Sequence, residues 1–176
     1  MAKAPLVAAP RLRLEPFEER HITQRYVGWL NDKRVVRFSR QRLQSHSEDD
    51  CRRFFASSER SPNYFWAIVA TEGDLHIGNI TVDIEPNDRV AAVNILVGDT
   101  TQWGKGYGSE AFETACAHLL VAASMRKVYA GTMATNAPML RLMQKSGMVE
   151  EARFKGHFFW EGQVVDKVFA AKFRGA

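Results

Sequence analysis

The chain has 176 residues, 45% of them hydrophobic and 25% charged, a balance that excludes a disordered polymer and suffices for a core of ordinary size. Lys and Arg number 24 against 20 Asp and Glu, a net charge of +4, too small to imply nucleic-acid binding without a local cluster. No shift of composition divides the chain, so one domain over residues 1–176 is expected.

Met1 to Pro10 is apolar but too short for a signal peptide, and no later apolar run approaches the roughly 18 residues of a membrane span. A cytoplasmic protein with no membrane partner is therefore expected. Cys51 and Cys116 form no Cys-x-x-Cys pair and no histidine completes a ligand set, so they read as free thiols and no metal site is expected. Arg11 to Phe17 alternates charged and apolar residues, the period of a strand with one buried face. Within Glu18 to Leu30 the apolar residues Ile22, Tyr26, Trp29 and Leu30 recur at helical spacing, with Asn31 as the expected cap. Lys33, Arg34, Arg37, Arg40 and Arg42 follow as a basic cluster, either a solvated face or a contact for an anionic substrate. Ser47 with Asp50 has the form of a capping box for a second helix striped by Cys51, Phe54 and Phe55.

Tyr64 to Thr71, His76 to Glu85 and Arg89 to Gly98 are apolar or β-branched and are separated by Glu72-Gly73-Asp74 and Pro86-Asn87-Asp88, the pattern of an antiparallel meander. In the second strand Asn79, Thr81, Asp83 and Glu85 share one face, a candidate cleft wall. Trp103-Gly104-Lys105-Gly106-Tyr107-Gly108-Ser109 then makes a glycine-rich turn into a helix marked by Ala111, Phe112, Ala115, Cys116, Leu119 and Leu120. Such a turn converges backbone N–H groups and a helix dipole on one anion, as a phosphate-bearing cofactor needs. Lys105 is followed by Gly106 rather than Ser or Thr, which excludes a nucleotide-hydrolase phosphate loop, and Ser109 breaks a dinucleotide fingerprint starting at Gly104. Lys127 to Met133 is a short strand, Asn136 and Pro138 open a helix through Lys145 that stops at Gly147, and two last strands meet at Glu161-Gly162. The exposed edges of that hairpin make a homodimer an expectation.

This element order, the loop Trp103 to Gly108, Asn136 about thirty residues on and Gly162 to Asp166 in the last hairpin resemble the GNAT superfamily of acyl-CoA-dependent N-acetyltransferases over nearly the full length. Within it, Trp-Gly-Lys-Gly-Tyr is similar to the RimJ/RimL-type branch, with Trp103 standing where the family usually has Arg or Gln. The resemblance implies an α/β (α+β) fold: a mixed, mostly antiparallel sheet of about seven strands with a splayed pair, flanked by about four helices. It implies acetyl-CoA as acetyl donor, held by Leu96, Val97, Trp103, Gly104, Lys105, Gly106, Tyr107, Gly108, Ser109 and Asn136, with the Val97 N–H as oxyanion donor. Lys105 fits a phosphate partner and a solvated loop residue equally well.

The resemblance also implies an acceptor wall at Trp29, Asn31, Arg34, Arg37 and Asn94. Relatives often carry an acid where this chain has Ala92 and Asn94, a tyrosine where it has Met143 and a serine where it has Met139. Asp83 is the candidate base, acting through water, although a solvent-facing carboxylate is an equally simple reading. His76 and His157 have suitable intrinsic acidity but are as readily packed or surface residues. The positive run disfavours a polyamine and favours a small amine such as an amino sugar, with the N-terminus of a ribosomal or other protein as the alternative. A non-catalytic acetyl-CoA-binding module is the alternative from another class.

Overall fold

The computed structural model describes residues 4–175, through which a single eight-stranded sheet runs in the order β1-β2-β3-β4-β5-β6-β8-β7. The strands are β1 Val7–Ala8, β2 Leu12–Pro16, β3 Tyr64–Ala70, β4 Leu75–Glu85, β5 Val90–Val97, β6 Lys127–Met133, β7 Val149–Trp160 and β8 Gln163–Phe173. The helices are α1 Gln24–Asn31, α2 Glu48–Ser58, α3 Tyr107–Val121 and α4 Ala137–Lys145. All strand pairs are antiparallel except β5 with β6. The meander, the glycine-loop helix, the Asn136 helix and the final hairpin stand where the sequence pattern puts them.

Two differences from the sequence reading are local. An eighth strand forms because Val7 and Ala8 pair with Leu14 and Arg13 at the sheet edge, a register too short to leave a periodic signal. The expected helix over Glu18 to Leu30 is instead a 3-10 turn at Glu19–His21 followed by α1. Thr23 resets the chain there: its backbone is extended and its hydroxyl accepts from the Tyr26 N–H, as an N-cap does. Asn31 ends α1, and Asp32 is the cap residue.

Alternation along the strands divides the core between two faces. On one, Leu12, Leu14, Trp66, Ile68, Ile80, Val82 and Val93 meet Ala111, Phe112, Ala115 and Leu119 of α3 and Met143 of α4. On the other, Phe65, Ala67 and Val69 meet Phe17, Tyr26, Trp29, Leu30 and Cys51 beneath α1 and α2. Each large side chain fully withdrawn from water contributes about 1.5–3 kcal/mol, so these two clusters fix where the helices lie. Both cysteines are free and buried, and burial pushes the Cys116 thiol up to about 12. No helix among the described residues is long and apolar enough to cross a membrane.

The sheet opens at its centre. β5 and β6 are in register only from Val90 with Lys127 to Ala92 with Tyr129. Beyond that point β5 follows β4 as far as Val97 with Gly78, while β6 is held by β8 along its whole length to Met133 with Lys167. Each strand has a full partner on its outer side, so the two diverge and leave a wedge between Asn94–Val97 and Ala130–Met133.

Candidate active site

Three surfaces meet at the wedge: the backbone edge of β5, the glycine loop, and the polar row of β4 and β5. The Gly98 N–H bonds the Ile77 carbonyl at 2.9 Å. By the alternation of an antiparallel ladder, Asn79 and Leu96 then form a hydrogen-bonded pair, and Ile95 and Val97 turn their backbone groups toward the wedge. The Val97 N–H is thus turned toward the wedge. The Leu96 backbone belongs to the β4 ladder, so of the two residues read as lining the cofactor only Val97 has backbone groups facing the wedge, together with Ile95, which that reading omits. The Val97 carbonyl accepts from the Trp103 indole Nε1 at 2.8 Å, which ties the loop to the strand end.

The loop fits an anionic cofactor. Gly104 and Gly106 have φ of +76° and +87°, the left-handed region that disfavours a side chain, and Gly106 is the N-cap of α3. No side chain caps α3, so the first amides of a fifteen-residue helix remain for a phosphate, with the positive end of the helix dipole behind them. Gly108 packs so that an added Cβ would lie 3.3 Å from Val97 Cγ2. Tyr107 is buried in the core, so its contribution is its backbone. Ser109 occupies the first turn of α3, and the Lys105 ammonium reaches Gln102 Oε1 at 3.2 Å. Asn136 caps α4 through Oδ1 to the Met139 N–H at 3.3 Å and donates Nδ2 to Thr132 Oγ1 at 2.9 Å, joining α4 to β6.

Sequence reasoning missed Arg11. Just before β2 it bonds Glu110 through its backbone N–H and its Nε, both at 2.7 Å, donates to the Lys105 carbonyl at 2.9 Å and lies over the Tyr107 ring. These contacts hold the loop from behind, with the Lys105 carbonyl turned to the guanidinium. Arg11 and Lys105 are ninety-four residues apart, and no local pattern announces such a pair.

On the face covered by α1 and α2, Asn79, Thr81 and Asp83 of β4 stand beside Leu96, Asn94 and Ala92 of β5. Asp83 is exposed and accepts from Asn63 Nδ2 at 3.0 Å and from Asn94 Nδ2 at 3.5 Å. Tyr129 of β6 is half-buried beyond them, its phenol pushed up by burial and by the charges of Glu85 and Asp83. Met143 is buried in the core. His76 is held well below its ordinary range, at about 4, chiefly by burial and then by His21, and it donates to the Gly78 carbonyl at 2.9 Å. It packs against Trp29 and Tyr26 under α1, on the same face of the sheet as Asn79.

The five residues read as an acceptor wall have distinct surroundings. Trp29 is 7% exposed and its ring lies against Gly98, where an added Cβ would come within 2.0 Å of it. Asn31 ties the loop after α1 by donating to the Val27 and His46 carbonyls and accepting from the His46 N–H. Arg34 clasps Asp32 at 2.6 Å. Arg37 pairs with Glu161 at 2.9 Å and lies over the Trp160 ring, whose indole donates to the Arg37 carbonyl. That contact joins the loop after α1 to the tip of the β7–β8 hairpin. Asn94 completes the polar row. A separate cleft of about 410 Å³ beside the start of α1 is lined by Arg13, Glu15, Arg20, His21, Arg25 and His76 among others, with Arg13, Arg20 and His21 all set on Glu15 and Arg25 on Asp99.

The chain belongs to the Acetyltransferase (GNAT) domain family, which matches residues 11–149. It is an acetyltransferase, and acetyl-CoA is the cosubstrate of that family. An acetyltransferase of the GNAT family from Bacillus anthracis superposes with a TM-score of 0.84 at 19% identity, covering 98% of this chain and 100% of the other. The ribosomal L7/L12 alpha-N-protein acetyltransferase RimL in complex with coenzyme A gives 0.83 at 16% identity, covering 96% and 98%. Spermidine N-acetyltransferase from Vibrio cholerae in complex with CoA and spermine gives 0.82 at 17% identity, covering 93% and 96%. No curated protein matches the chain.

Proposed function

We propose that the chain acetylates a small primary amine that carries negative charge, of the kind a nucleotide-linked amino sugar presents. The observation that supports this acceptor is the loop after α1, where Lys33, Arg34, Arg37, Arg40 and Arg42 outnumber the carboxylates that answer them, Asp32 and Glu161. Lys33 and Arg40 make no ion pair among the described residues and are exposed. A polycation is repelled by such a wall and a diphosphate is attracted.

Acetyl-CoA supplies the thioester carbon and the leaving thiol. The chain contributes the Val97 N–H as a fixed dipole toward the carbonyl oxygen, α3 and the glycine loop as the anion cradle, and the wedge as a route that keeps the acyl end out of bulk water. Asp83 is the base in this reading, reached through water along the polar row. Asp83→Asn should lower kcat while leaving the KM for acetyl-CoA unchanged; an unaltered kcat removes Asp83 from the mechanism. Acetylation of a protein N-terminus is the second reading, favoured by the presence of RimL and of a ribosomal-protein alanine acetyltransferase among the structural neighbours.

Thiol release from acetyl-CoA with nucleotide-linked amino sugars, short peptides, aminoglycosides and polyamines tests the proposal. Release with the amino sugars supports it, release only with peptides favours the second reading, and release only with polyamines overturns both.

A further inference from the structure

Asn79 is 9% exposed, and its Oδ1 is the one buried side-chain oxygen or nitrogen without a hydrogen-bond partner among the described residues. A buried acceptor left in that state lowers the stability of a fold, and an apolar side chain of similar shape would avoid the loss. Its register neighbours, Ala67 on β3 and Leu96 on β5, are both apolar. Nothing in the packing of that face requires a carboxamide. The position is nevertheless particular: Asn79 faces Leu96, one residue from the Val97 N–H that opens on the wedge, and it heads the row that continues through Thr81 and Asn94 to Asp83 at the surface.

We propose that Asn79 is a positioning residue for the acceptor, its Oδ1 accepting one N–H of the incoming primary amine. This rests on the acetyl-transfer reading above. In that reaction the nitrogen bonds the acetyl carbon, the C–S bond breaks, and the proton lost by nitrogen is the one gained by the leaving thiolate. Asn79 takes no part in moving that proton. A carboxamide oxygen carries no net charge, so it aligns the neutral amine without stabilising the ammonium form, which has no lone pair to attack with. A carboxylate at the same place would hold the ammonium. The leucine that the strand pattern would accept gives no alignment at all.

The test compares wild type with Asn79→Leu and Asn79→Asp in the full chain, using a UDP-linked amino sugar, an alanine-leading peptide and spermidine as probes. For Asn79→Leu the melting temperature should hold or rise, acetyl-CoA affinity should be unchanged, and kcat/KM for the amine that wild type uses should fall roughly three- to tenfold, the equivalent of one neutral hydrogen bond. In Asn79→Asp the alkaline rise of the rate should move up by roughly one pH unit, because the carboxylate raises the pKa of the bound amine. A lowered melting temperature for Asn79→Leu would show that Oδ1 has a structural partner such as a buried water, and it overturns the proposal. So does an unchanged kcat/KM for the amine. If wild type releases no thiol with any probe, the acceptor reading fails on its own, and the melting temperature still decides against Asn79 should it fall.

Discussion

The cofactor side and the acceptor side of the wedge are built from different materials. Around the glycine loop, recognition is offered by backbone: two glycines at positive φ, the uncapped start of α3 and the Val97 N–H. Around the loop after α1 it is offered by side chains, two of which are already engaged with carboxylates, Arg34 with Asp32 and Arg37 with Glu161. Backbone sites depend on chain conformation and so hold one ligand chemistry fixed, whereas paired side chains can be exchanged without disturbing the fold. A shared cosubstrate and a variable acceptor fit that division.

The largest expected effect breaks the backbone side. Gly106→Glu forces a side chain into φ +87°, where its Cβ would lie 3.1 Å from the Arg11 guanidinium that holds the loop from behind, so the loop cannot keep its conformation. Thiol release should fall by more than about a hundredfold, with acetyl-CoA binding lost in calorimetry. Retained acetyl-CoA binding would remove the loop from the cofactor site.

Beneath α1 the same comparison is electrostatic. His76 is buried neutral, its pKa lowered from 6.5 to about 4. A group whose folded pKa lies below its unfolded value takes up a proton on unfolding, so stability is full above about 6.5 and declines as pH falls toward 4. The loss amounts to about 3 kcal/mol across that window. Glu15 adds to the loss at lower pH: burial raises its pKa, but hydrogen bonds from His21 and Arg13 and the charge of Arg20 outweigh it and hold the carboxyl below its ordinary range. The melting temperature should therefore drop between pH 7 and 5, and His76→Gln should flatten that drop. An equally steep drop in the variant would assign the pH dependence elsewhere.

The same division explains what could be read from the sequence. Glycines, caps and strand periods are local signals, so the meander, α3, α4 and the hairpin were legible, and with them Gly104, Gly106 and Asn136. The residue that serves as base was not legible: relatives' positions hold Ala92, Asn94 and Met143, and Asp83 could be read only as one carboxylate of an alternating polar set. Arg11 escaped because its partners lie ninety-four and ninety-nine residues away. Asn79 was visible as one of an alternating polar set, but only packing separates its buried, unpartnered oxygen from the exposed carboxylate of Asp83. The split of the first helix turned on Thr23, whose capping competes with an apolar period that runs straight through it.

Arg11→Ala sharpens the comparison by removing a side chain that supports a backbone site. Without it the Lys105 carbonyl and Glu110 lose their partner and the loop loses its rear support. Acetyl-CoA affinity, read from quenching of the exposed Trp103 indole, should weaken roughly tenfold, about 1.4 kcal/mol, with kcat little changed. A fall in kcat at unchanged affinity would instead place Arg11 in the chemistry.

The smallest effect concerns Arg37, which either meets the acceptor or only fastens the loop to the hairpin tip. Glu161 distinguishes the two. The Arg37 guanidinium holds the Glu161 carboxyl below its ordinary range, so in the anionic-acceptor reading that carboxylate competes with the substrate phosphate for Arg37. If Arg37 serves the acceptor, Glu161→Gln should free it and lower the KM for a nucleotide-linked amine, while Arg37→Ala should raise that KM roughly threefold, as befits an exposed pair. If the contact is a fastening alone, both substitutions loosen the loop and both raise KM. The proposed anionic acceptor requires opposite signs, and acetyl-CoA affinity should stay constant in both variants because neither residue touches the glycine loop.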